Sequence, residues 1–548
     1  MAGVGVERAA DIRVVVAASA AGTAFEWYDF FVFVPLATII SRVFFTGLNE
    51  SAAYVFALGS FAAGFAFRPL GALIFGRIGD RAGRKGAFLV TVIMMGAATF
   101  AIGLLPTYRQ VGLVSPIVFI ALRLIQGIAL GGEWGGAAIF IAEHSPGGKR
   151  GQFTSWIGAA AAFGLGGALV VTLTARALVG EAAFAAWGWR IPFLASAVLV
   201  AVSVWFRLKL SESPVFRRMH AEGRRSRRPY ADAFLDPANL RRVLLALFAI
   251  MVAQGTVWYT TFFYGQFFVE KVLKVAPETV NAIMIALVAI SAPLYVLFGS
   301  LSDRIGRKLV MVGGMVLFTA ALWPGFHLMT SAANPAMAAA QTRAPVTVIA
   351  DPHDCSLQFD PVGKAQFRSS CDILKSALTN AGVSYRNLPG PSFQAAVARV
   401  GALTVTSLDG RPLTPAGLKA AQAQVRGKLQ TALKAAGYPA TAVARHADAP
   451  LILLVLVVLA VGATALYGPQ AACLVELFPS RVRYTALSLP YHIGTGWVGG
   501  FLPATAYAMV TATGDSYFGL WYPTVGTLVS IVCAILFLPE TRGRDLNV

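Results

Sequence analysis

Long apolar stretches alternate with short polar ones along almost the entire chain of 548 residues. Each apolar stretch approaches or exceeds about 20 residues, the length of α-helix that crosses roughly 30 Å of bilayer hydrocarbon. The pattern therefore predicts an all-α membrane protein with twelve transmembrane helices, named S1 to S12 in chain order. Their predicted bounds are 13–43, 53–75, 86–106, 116–142, 152–178, 189–208, 241–268, 279–299, 308–329, 451–477, 486–511 and 517–538.

Composition agrees with this pattern. Apolar residues make up 57% of the chain and charged residues only 13%, about half of the charged share of an ordinary soluble domain. The first apolar run continues into S1 without the small-residue cleavage site of a signal peptide, so we expect no cleaved leader.

Lysine and arginine are concentrated in alternate loops, beginning with the N-terminal segment. Cytoplasmic loops carry this excess in membrane proteins, so both termini are expected in the cytosol. The bias explains most of the formal net charge of +19. The basic run at 224–228 then is a juxtamembrane feature, and we expect no nucleic-acid partner.

Two motifs occur twice. The sequence GRIGDRAGRK at 76–85 returns as GSLSDRIGRK at 299–308, after S2 and after S8 respectively. A second, weaker repeat consists of AEHSPGGKRG, which follows S4, and VELFPSRVRYT, which follows S10. In this repeat Glu143 corresponds to Glu476. The second pair is separated by more residues than the first, by about the length of the polar stretch 332–449. Internal duplication of this kind is typical of secondary transporters.

The repeats predict a domain organisation of two six-helix halves. The first half is 1–210, and a basic cytoplasmic linker follows at 211–240. The second half comprises 241–331 and 450–548, and it is interrupted by an inserted module at 332–449 between S9 and S10.

Five motifs together resemble one branch of a known superfamily. They are GTAFEWYDFF in S1, FRPLGALIFGRIGDRAGRK at the end of S2, RLIQGIALGGEWGG in S4, WGWRIPF before S6 and ELFPSRVRYTALS before S11. These motifs are similar to those of the metabolite:proton symporter branch of the major facilitator superfamily, which includes α-ketoglutarate, citrate, shikimate, dicarboxylate and proline/betaine permeases. The resemblance covers the chain except 332–449. It implies a bacterial inner-membrane carrier that works as a monomer with a proton as coupling ion and no other cofactor.

The duplicated loop motif implies a cytoplasmic gate. Its members are Gly76, Asp80, Arg81, Gly83 and Arg84 after S2, and Asp303, Arg304, Gly306 and Arg307 after S8. Asp–Arg pairs and glycine turns in short loops can latch one half onto the other and release it as the halves tilt. The alternative is simple positive-inside anchoring, which requires the basic residues but neither the aspartates nor the glycines.

Five ionisable residues lie inside predicted spans, where an unpaired charge costs several kcal/mol. Glu26 and Asp29 lie one turn apart on S1, so both cannot ionise cheaply without a nearby cation. Arg123 on S4 is the candidate cation, because S1 and S4 line the central cavity in the resembled superfamily. We expect Asp29 to carry the proton and Arg123 to adjust the pKa of Asp29, with Glu26 as the second candidate for the proton carrier. The alternative is a static pair that joins S1 to S4.

Glu133 follows Gln126 by two turns of S4 and shares its face. It stands in a glycine run that permits close helix packing. Glu133 is therefore either a second proton site or an anchor that forms a hydrogen bond with a neighbouring helix.

The predicted substrate site centres on Arg68, near the middle of the bilayer. Its planar guanidinium matches a carboxylate with two hydrogen bonds, although it could instead pair with the S1 acids. The other predicted substrate contacts are Gln126 on S4 and Gln254, Trp258 and Tyr259 on S7. Aromatic residues near a span end also serve as interfacial anchors, and we expect His327 and His492 to be hydrogen-bonded residues rather than proton relays.

The module 332–449 is expected outside the cytoplasm as a small α+β domain. The predicted strands are VTVIA and ALTVTSL, and the predicted helices are 362–381 and 415–437. In an oxidising compartment Cys355 and Cys371 would close a disulfide that stabilises the module by roughly 3 kcal/mol. Metal ligation by DPHDC with Cys371 is the alternative, but its spacing fits no strong template, so we predict no metal site.

The sequence thus predicts a carrier rather than an enzyme: a proton-coupled symporter that imports a small organic acid by alternating access. It lacks the phosphate-binding Gly-x-x-x-x-Gly-Lys-Ser/Thr motif of ATP-driven transport. The alternatives are a proline/betaine-type symporter for a zwitterionic osmolyte, a drug efflux antiporter and a transporter-like sensor.

Overall fold

A computed structural model describes residues 12–45, 64–208, 212–224, 226–358, 366–439 and 448–547. Within these ranges nine helices are long and apolar enough to cross a membrane. The three predicted spans not among them are S1, S2 and S11. S1 and S11 are helical with internal breaks, and part of S2 lies outside the described residues.

The helices of the first half follow the predicted order. S1 comprises Ile12–Phe31 and Phe33–Phe44; S2 is described as Arg68–Ala82, S3 as Arg84–Leu104, S4 as Val114–His144, S5 as Arg150–Thr154 and Trp156–Val179, and S6 as Arg190–Leu208. Two short linker helices follow, Pro214–Ala221 and Pro229–Phe234.

The second half contains the remaining helices. S7 begins with the helix Pro237–Ala246, S8 is Pro277–Ile305, S9 is Arg307–Ala333, S10 is Ala449–Leu477, S11 contains Arg483–His492 and Leu502–Thr513, and S12 is Trp521–Phe537. S9 and S10 flank the module and pack so closely that a Cβ on Gly314 would lie 2.7 Å from the carbonyl oxygen of Gly462.

S7 and S11 differ from the uninterrupted helices that were predicted. S7 contains π-helical segments at Leu247–Met251, Thr260–Tyr264 and Phe268–Val272, and S11 contains one at Ile493–Gly499. The two backbones meet here, since a Cβ on Gly255 would lie 2.2 Å from the carbonyl oxygen of Gly494. Such segments often mark functional positions in helices, and hydropathy alone does not reveal them.

The module contains a four-stranded sheet. Its strands are β1 (Val346–Ala350), β2 (Tyr385–Pro389), β3 (Val397–Val400) and β4 (Leu403–Thr406), in the order β2-β1-β3-β4. β1 and β2 are parallel and are joined through the helix Ser370–Asn380, whereas the other pairs are antiparallel. The helix Pro415–Ala435 completes a hydrophobic core separate from that of the spans.

The predicted module helix 362–381 is too long at its N-terminus. Residues 359–365 lie outside the described ranges, and the helix begins only at Ser370. Ser369 is its N-cap, because its side chain accepts a hydrogen bond from the backbone N–H of Asp372. The structure also contains the disulfide between Cys355 and Cys371, which ties this helix to the segment after β1.

The module docks on the ends of S7 and S11 that lie opposite the duplicated loop motifs. The last carbonyls of an α-helix have no partner within the helix, and three side chains of the module donate to those of S11. Lys375 Nζ bonds the oxygen of Ala512 at 3.3 Å, Asn387 Nδ2 bonds that of Thr513 at 2.8 Å, and the Tyr385 hydroxyl bonds that of Thr511. A cation also suits the negative end of the helix dipole, and burial lowers the pKa of Lys375.

Candidate functional site: gate, central layer and buried acids

Asp80 joins the two halves at the loop-motif end of the bundle. Its carboxylate accepts hydrogen bonds from the backbone N–H of Tyr484 at 3.1 Å and of Thr485 at 2.8 Å, at the start of S11. Asp303, the repeat of Asp80, likewise accepts from the N–H groups of Gly151 at 2.9 Å and Gln152 at 2.7 Å, at the start of S5. Each half therefore places one aspartate on the first turn of a helix in the other half, where the helix dipole favours an anion.

The two matched glutamates extend this twofold arrangement. Glu143 pairs with Arg84 of its own half and, at 2.6 Å, with Arg483 of the other. Glu476 correspondingly pairs with Arg307 of its own half at 3.3 Å and with Arg150 of the other at 3.5 Å. Each glutamate thus connects both halves, and the network closes the bundle at this end.

The remaining gate residues have different surroundings. Gly83 and Gly306 have φ values of 123° and 109°, in the region that favours glycine, and a Cβ on either would lie within 2.6 Å of a glutamate oxygen. Gly76 faces the other half, where a Cβ would lie 2.8 Å from Thr485 Cα. Arg81 and Arg304 are exposed, and the Arg304 carbonyl accepts a hydrogen bond from Arg542.

Arg68 lies between the halves, deep in the bundle, and is only 1% exposed. Its guanidinium lies 4.1 Å from the ring centre of Phe65 and 4.7 Å from that of Phe30, both in the first half. Tyr259 of S7 is an electrostatic neighbour of this guanidinium from the second half. Within the described part of the chain, Nε and Nη2 have no hydrogen-bond partner, so two donors remain available.

Aromatic and amide side chains surround this layer. Tyr491 stacks on Trp134 with ring centres 3.6 Å apart, and its hydroxyl lies 3.2 Å from that of Tyr467. Gln254 is buried on S7, and its Oε1 has no partner among the described residues; the same holds for Oε1 of Gln470 on S10.

Trp258 lies beside this layer. Its Nε1 donates to the hydroxyl of Tyr295 on S8 at 2.9 Å. His492 is buried near Arg68, whereas His327 is exposed and stacks on Tyr517 with ring centres 4.0 Å apart.

The acids of S1 meet Glu133 rather than Arg123. Glu26, Asp29 and Glu133 line one cavity within the first half. The ion pair of this cluster is between Glu133 Oε1 and Arg207 Nη2, 3.1 Å apart. Among the described residues the expected pairing of Asp29 with Arg123 is not seen.

Arg123 is instead held by its own helix and by aromatic rings. It donates from Nη1 to Gln126 Oε1 at 2.8 Å, and Gln126 donates to Thr99 Oγ1 at 2.7 Å. The guanidinium lies 4.7 Å from the ring centre of Phe33 and 5.5 Å from that of Phe30. Arg123 and Gln126 therefore form a network that joins S4 to S3.

Two groups of ion-pair residues were not identified from the sequence. Arg207 stands at the end of a span, where a basic residue is expected as an anchor, so nothing in the sequence distinguished it. The second repeated motif could have identified the other group, because it contains Glu143, Arg150, Glu476 and Arg483. No group of three or more potential metal ligands occurs among the described residues.

A profile of the family described as "Sugar (and other) transporter" matches residues 14–233 and 431–548. This match covers more than half of the chain. The chain belongs to this family. A second profile, "MFS/sugar transport protein", matches 145–350. The resemblance of the motifs to the major facilitator superfamily is thus confirmed.

Curated relatives fall in the predicted branch. The proline/betaine transporter of Escherichia coli is 36% identical over 330 residues, and the glycine betaine/proline/ectoine/pipecolic acid transporter OusA of Dickeya dadantii is 35% identical over 329. Each alignment covers 58% of this chain and 65% of the relative. The shikimate transporter of Escherichia coli is 34% identical, with 56% and 70% covered.

Solved structures share the fold. The proton:xylose symporter XylE bound to 6-bromo-6-deoxy-D-glucose aligns with a TM-score of 0.62 at 15% identity, covering 98% of both chains. At this identity the likeness concerns architecture alone.

Proposed function

We propose that the protein is a proton-coupled symporter that imports a small zwitterionic solute with one carboxylate, of the proline or betaine class. The observation that carries the proposal is Arg68, a buried guanidinium at the boundary of the halves with two donor atoms unpartnered in the described structure. In a low-dielectric site such a fork favours a carboxylate.

The surroundings of Arg68 favour one carboxylate over several. A dicarboxylate or tricarboxylate would bring more negative charge than one guanidinium balances, and burying the excess would be costly. Aromatic faces such as those of Trp134 and Tyr491 instead suit a quaternary ammonium or an apolar ring. The proline/betaine relatives support the same choice, which replaces the organic acid expected first.

A second candidate substrate is a hydroxylated monocarboxylate of the shikimate type. The amide oxygens of Gln254 and Gln470 favour it, because both are buried acceptors without a partner in the described structure. Hydroxyl groups of a bound solute would satisfy them.

We further propose the topology expected from the loop charges. All twelve segments span the inner membrane, both termini and the ion-pair network face the cytoplasm, and the module lies outside. In that topology Cys355 and Cys371 stand in an oxidising compartment, which suits a disulfide.

Uptake into proteoliposomes tests the proposal. An inward pH gradient should drive accumulation of labelled glycine betaine or proline, with shikimate and succinate as competitors. Competition by shikimate alone would favour the second candidate, and strong competition by succinate would contradict the single-carboxylate site. Tight binding without flux would indicate a sensor, and export of hydrophobic dyes would indicate an efflux antiporter.

Variants of Arg68 make the test specific. Arg68→Lys retains the charge but loses the fork, so KM for the transported carboxylate should rise by about tenfold or more. Arg77→Gln is the matched control, because Arg77 lies on the same helix but is exposed beside Tyr230. An unchanged KM in Arg68→Lys would remove this residue from the site.

A further inference from the structure

His492 lies on S11 at the boundary of the two halves and is only 1% exposed. The residue one turn before it, Ser488, faces S4, because a Cβ on Gly135 would lie 2.4 Å from Ser488 Oγ. The residue one turn after it, Gly496, faces S2, because its own Cβ would lie 3.1 Å from the carbonyl oxygen of Phe65. Residues four apart are neighbours on a helix surface, so the His492 side chain also faces the first half.

The imidazole of His492 is buried without a hydrogen bond. The backbone of Gly131 on S4 lies near the ring, but neither ring nitrogen has a hydrogen-bond partner among the described residues. The hydrogen-bonded role expected from the sequence is therefore not seen in this part of the chain. Buried polar atoms in native proteins are nearly always satisfied, so a ligand or water that enters between the halves would bind here.

Arg68 is the charged neighbour of this ring. A Cβ on Gly496, one turn after His492, would lie 3.9 Å from Arg68 Cδ. One turn corresponds to about 6 Å along a helix, a span that a small molecule can bridge with one hydrogen bond at each end. His492 also directly precedes the π-helical segment Ile493–Gly499, and such segments are frequent at functional sites.

The charge of Arg68 determines what His492 can offer a ligand. A second buried cation beside the guanidinium would be costly, so the imidazole is neutral. A neutral imidazole has one donor nitrogen and one acceptor nitrogen, whereas a guanidinium only donates. His492 therefore adds a hydrogen-bond acceptor close to the group that is proposed to bind the carboxylate.

The aromatic rings beside His492 suit the apolar part of such a ligand. Tyr491 lies edge-on to the imidazole with ring centres 4.9 Å apart, and Trp134 stacks on Tyr491. Aromatic faces pack well against an apolar ring. A cyclic solute could thus place its carboxylate at Arg68, its ring against these faces and a polar hydrogen at His492.

We propose that His492 contacts the transported solute and determines specificity by accepting a hydrogen bond from an N–H or O–H group of that solute. The ring therefore selects a secondary ammonium, as in proline, over a quaternary ammonium, as in glycine betaine, which has no hydrogen to donate. In the same way it selects a hydroxylated ring over an unsubstituted one. This inference rests on the proposed function, because Arg68 must hold the carboxylate, and it narrows that function to solutes with a donor group.

Matched pairs of ligands test the proposal by calorimetric binding to the purified full-length protein. L-proline and N,N-dimethylproline share the ring and the carboxylate but differ in N–H groups. Shikimate and cyclohexene-1-carboxylate likewise differ in hydroxyl groups. A buried acceptor left without a donor weakens binding by about tenfold or more, so the wild type should prefer the donor-bearing member of a pair by that factor.

Variants of His492 assign this preference to the imidazole. His492→Leu removes both nitrogens at similar size and should reduce the preference to less than about threefold, by weakening the donor-bearing ligand alone. His492→Gln retains an acceptor and should restore part of the preference, which a merely space-filling role would not require. The matched control is His327→Leu, because His327 is an exposed histidine of S9 that stacks on Tyr517, and its preference should equal that of the wild type. If His492→Leu does not fold, His492→Met serves the same purpose.

The outcomes separate this inference from the proposed function. If the preference depends on His492 but a pH gradient drives no accumulation, the proposed symport fails while the role of His492 stands. If only the shikimate pair binds and loses its preference in His492→Leu, the zwitterion is wrong and the role of His492 again stands. An unchanged preference in His492→Leu, equal weakening of both members of a pair, or a wild type that binds neither pair would overturn the inference.

Discussion

The hydrogen bonds that Asp80 accepts across the halves allow a quantitative prediction. Asp80 is completely buried and contacts the N–H groups of Tyr484 and Thr485. These bonds exist only while the loop-motif end of the bundle is closed, because donors and acceptor belong to different halves. Asp80→Asn keeps the size of the side chain and one acceptor oxygen, but it removes the charge and turns an amide NH₂ toward one N–H.

The expected change follows from the strength of such bonds. Hydrogen bonds to charged groups contribute about 1.5–3 kcal/mol each. Loss of one and retention of a weaker neutral bond costs the closed state about 2 kcal/mol. At 1.4 kcal/mol per factor of ten, the equilibrium between closed and open states should shift roughly 30-fold toward open.

A buried reporter at the same interface measures this shift. Ser488 on S11 is buried and faces S4, since a Cβ on Gly135 would lie 2.4 Å from its Oγ. Ser488→Cys, with serine at Cys473 and Cys533, should be alkylated in proportion to the open fraction. Asp80→Asn should therefore accelerate labelling roughly 30-fold, and an unchanged rate would refute the reasoning.

Two variants serve as controls for this experiment. Asp303→Asn removes the repeated contact and should accelerate labelling in the same direction. Asp409→Asn removes an exposed carboxylate of the module, which pairs with Arg411, and should have no effect. An equal acceleration by Asp409→Asn would indicate general destabilisation rather than release of the gate.

Three further outcomes are expected. Serine at both Cys355 and Cys371 should destabilise the module by about 3 kcal/mol, seen as faster proteolysis within it; equal proteolysis rates would contradict this. Tyr385→Phe removes the buried bond to Thr511 and should weaken docking by about 1 kcal/mol, measured by hydrogen exchange at the end of S11, where unchanged protection would count against it. Asp29→Asn should abolish pH-driven accumulation and spare solute exchange at equal pH if Asp29 carries the proton, as the sequence predicts; loss of solute binding with intact coupling would contradict that assignment.

Much of the architecture is readable from the sequence because hydropathy and repetition report on it directly. The apolar runs locate most helices to within a few residues, and the duplicated loops predict the two halves. The π-helical segments of S7 and S11 are not readable, since hydropathy does not distinguish them from α-helix; Gly494 lies in one of them, where S11 meets Gly255 of S7. The predicted length of the module helix is too great because the polar segment before its N-cap, Ser369, has the same composition as the helix itself.

The candidate site was readable only in part, because pairing depends on side-chain direction. The acids of S1 were identified from their cost in a membrane, but the cation beside them was not. Arg123 lies in the middle of a span and was therefore the candidate cation, yet it donates a hydrogen bond to Gln126 on its own helix. Arg207 resembles an ordinary span-end anchor, and only the space beside Gly22 lets it reach Glu133.

The gate and the module act on different boundaries of the molecule. The gate contacts of Asp80 and Asp303 cross between the halves and must break when the loop-motif end opens. The described hydrogen bonds from the module to the spans instead stay within the second half, where they hold the ends of S7 and S11 together. Both helices contain π-helical segments before these ends, and such segments are natural points of bending. A module that ties the two ends therefore limits bending within one half without opposing the motion of one half against the other.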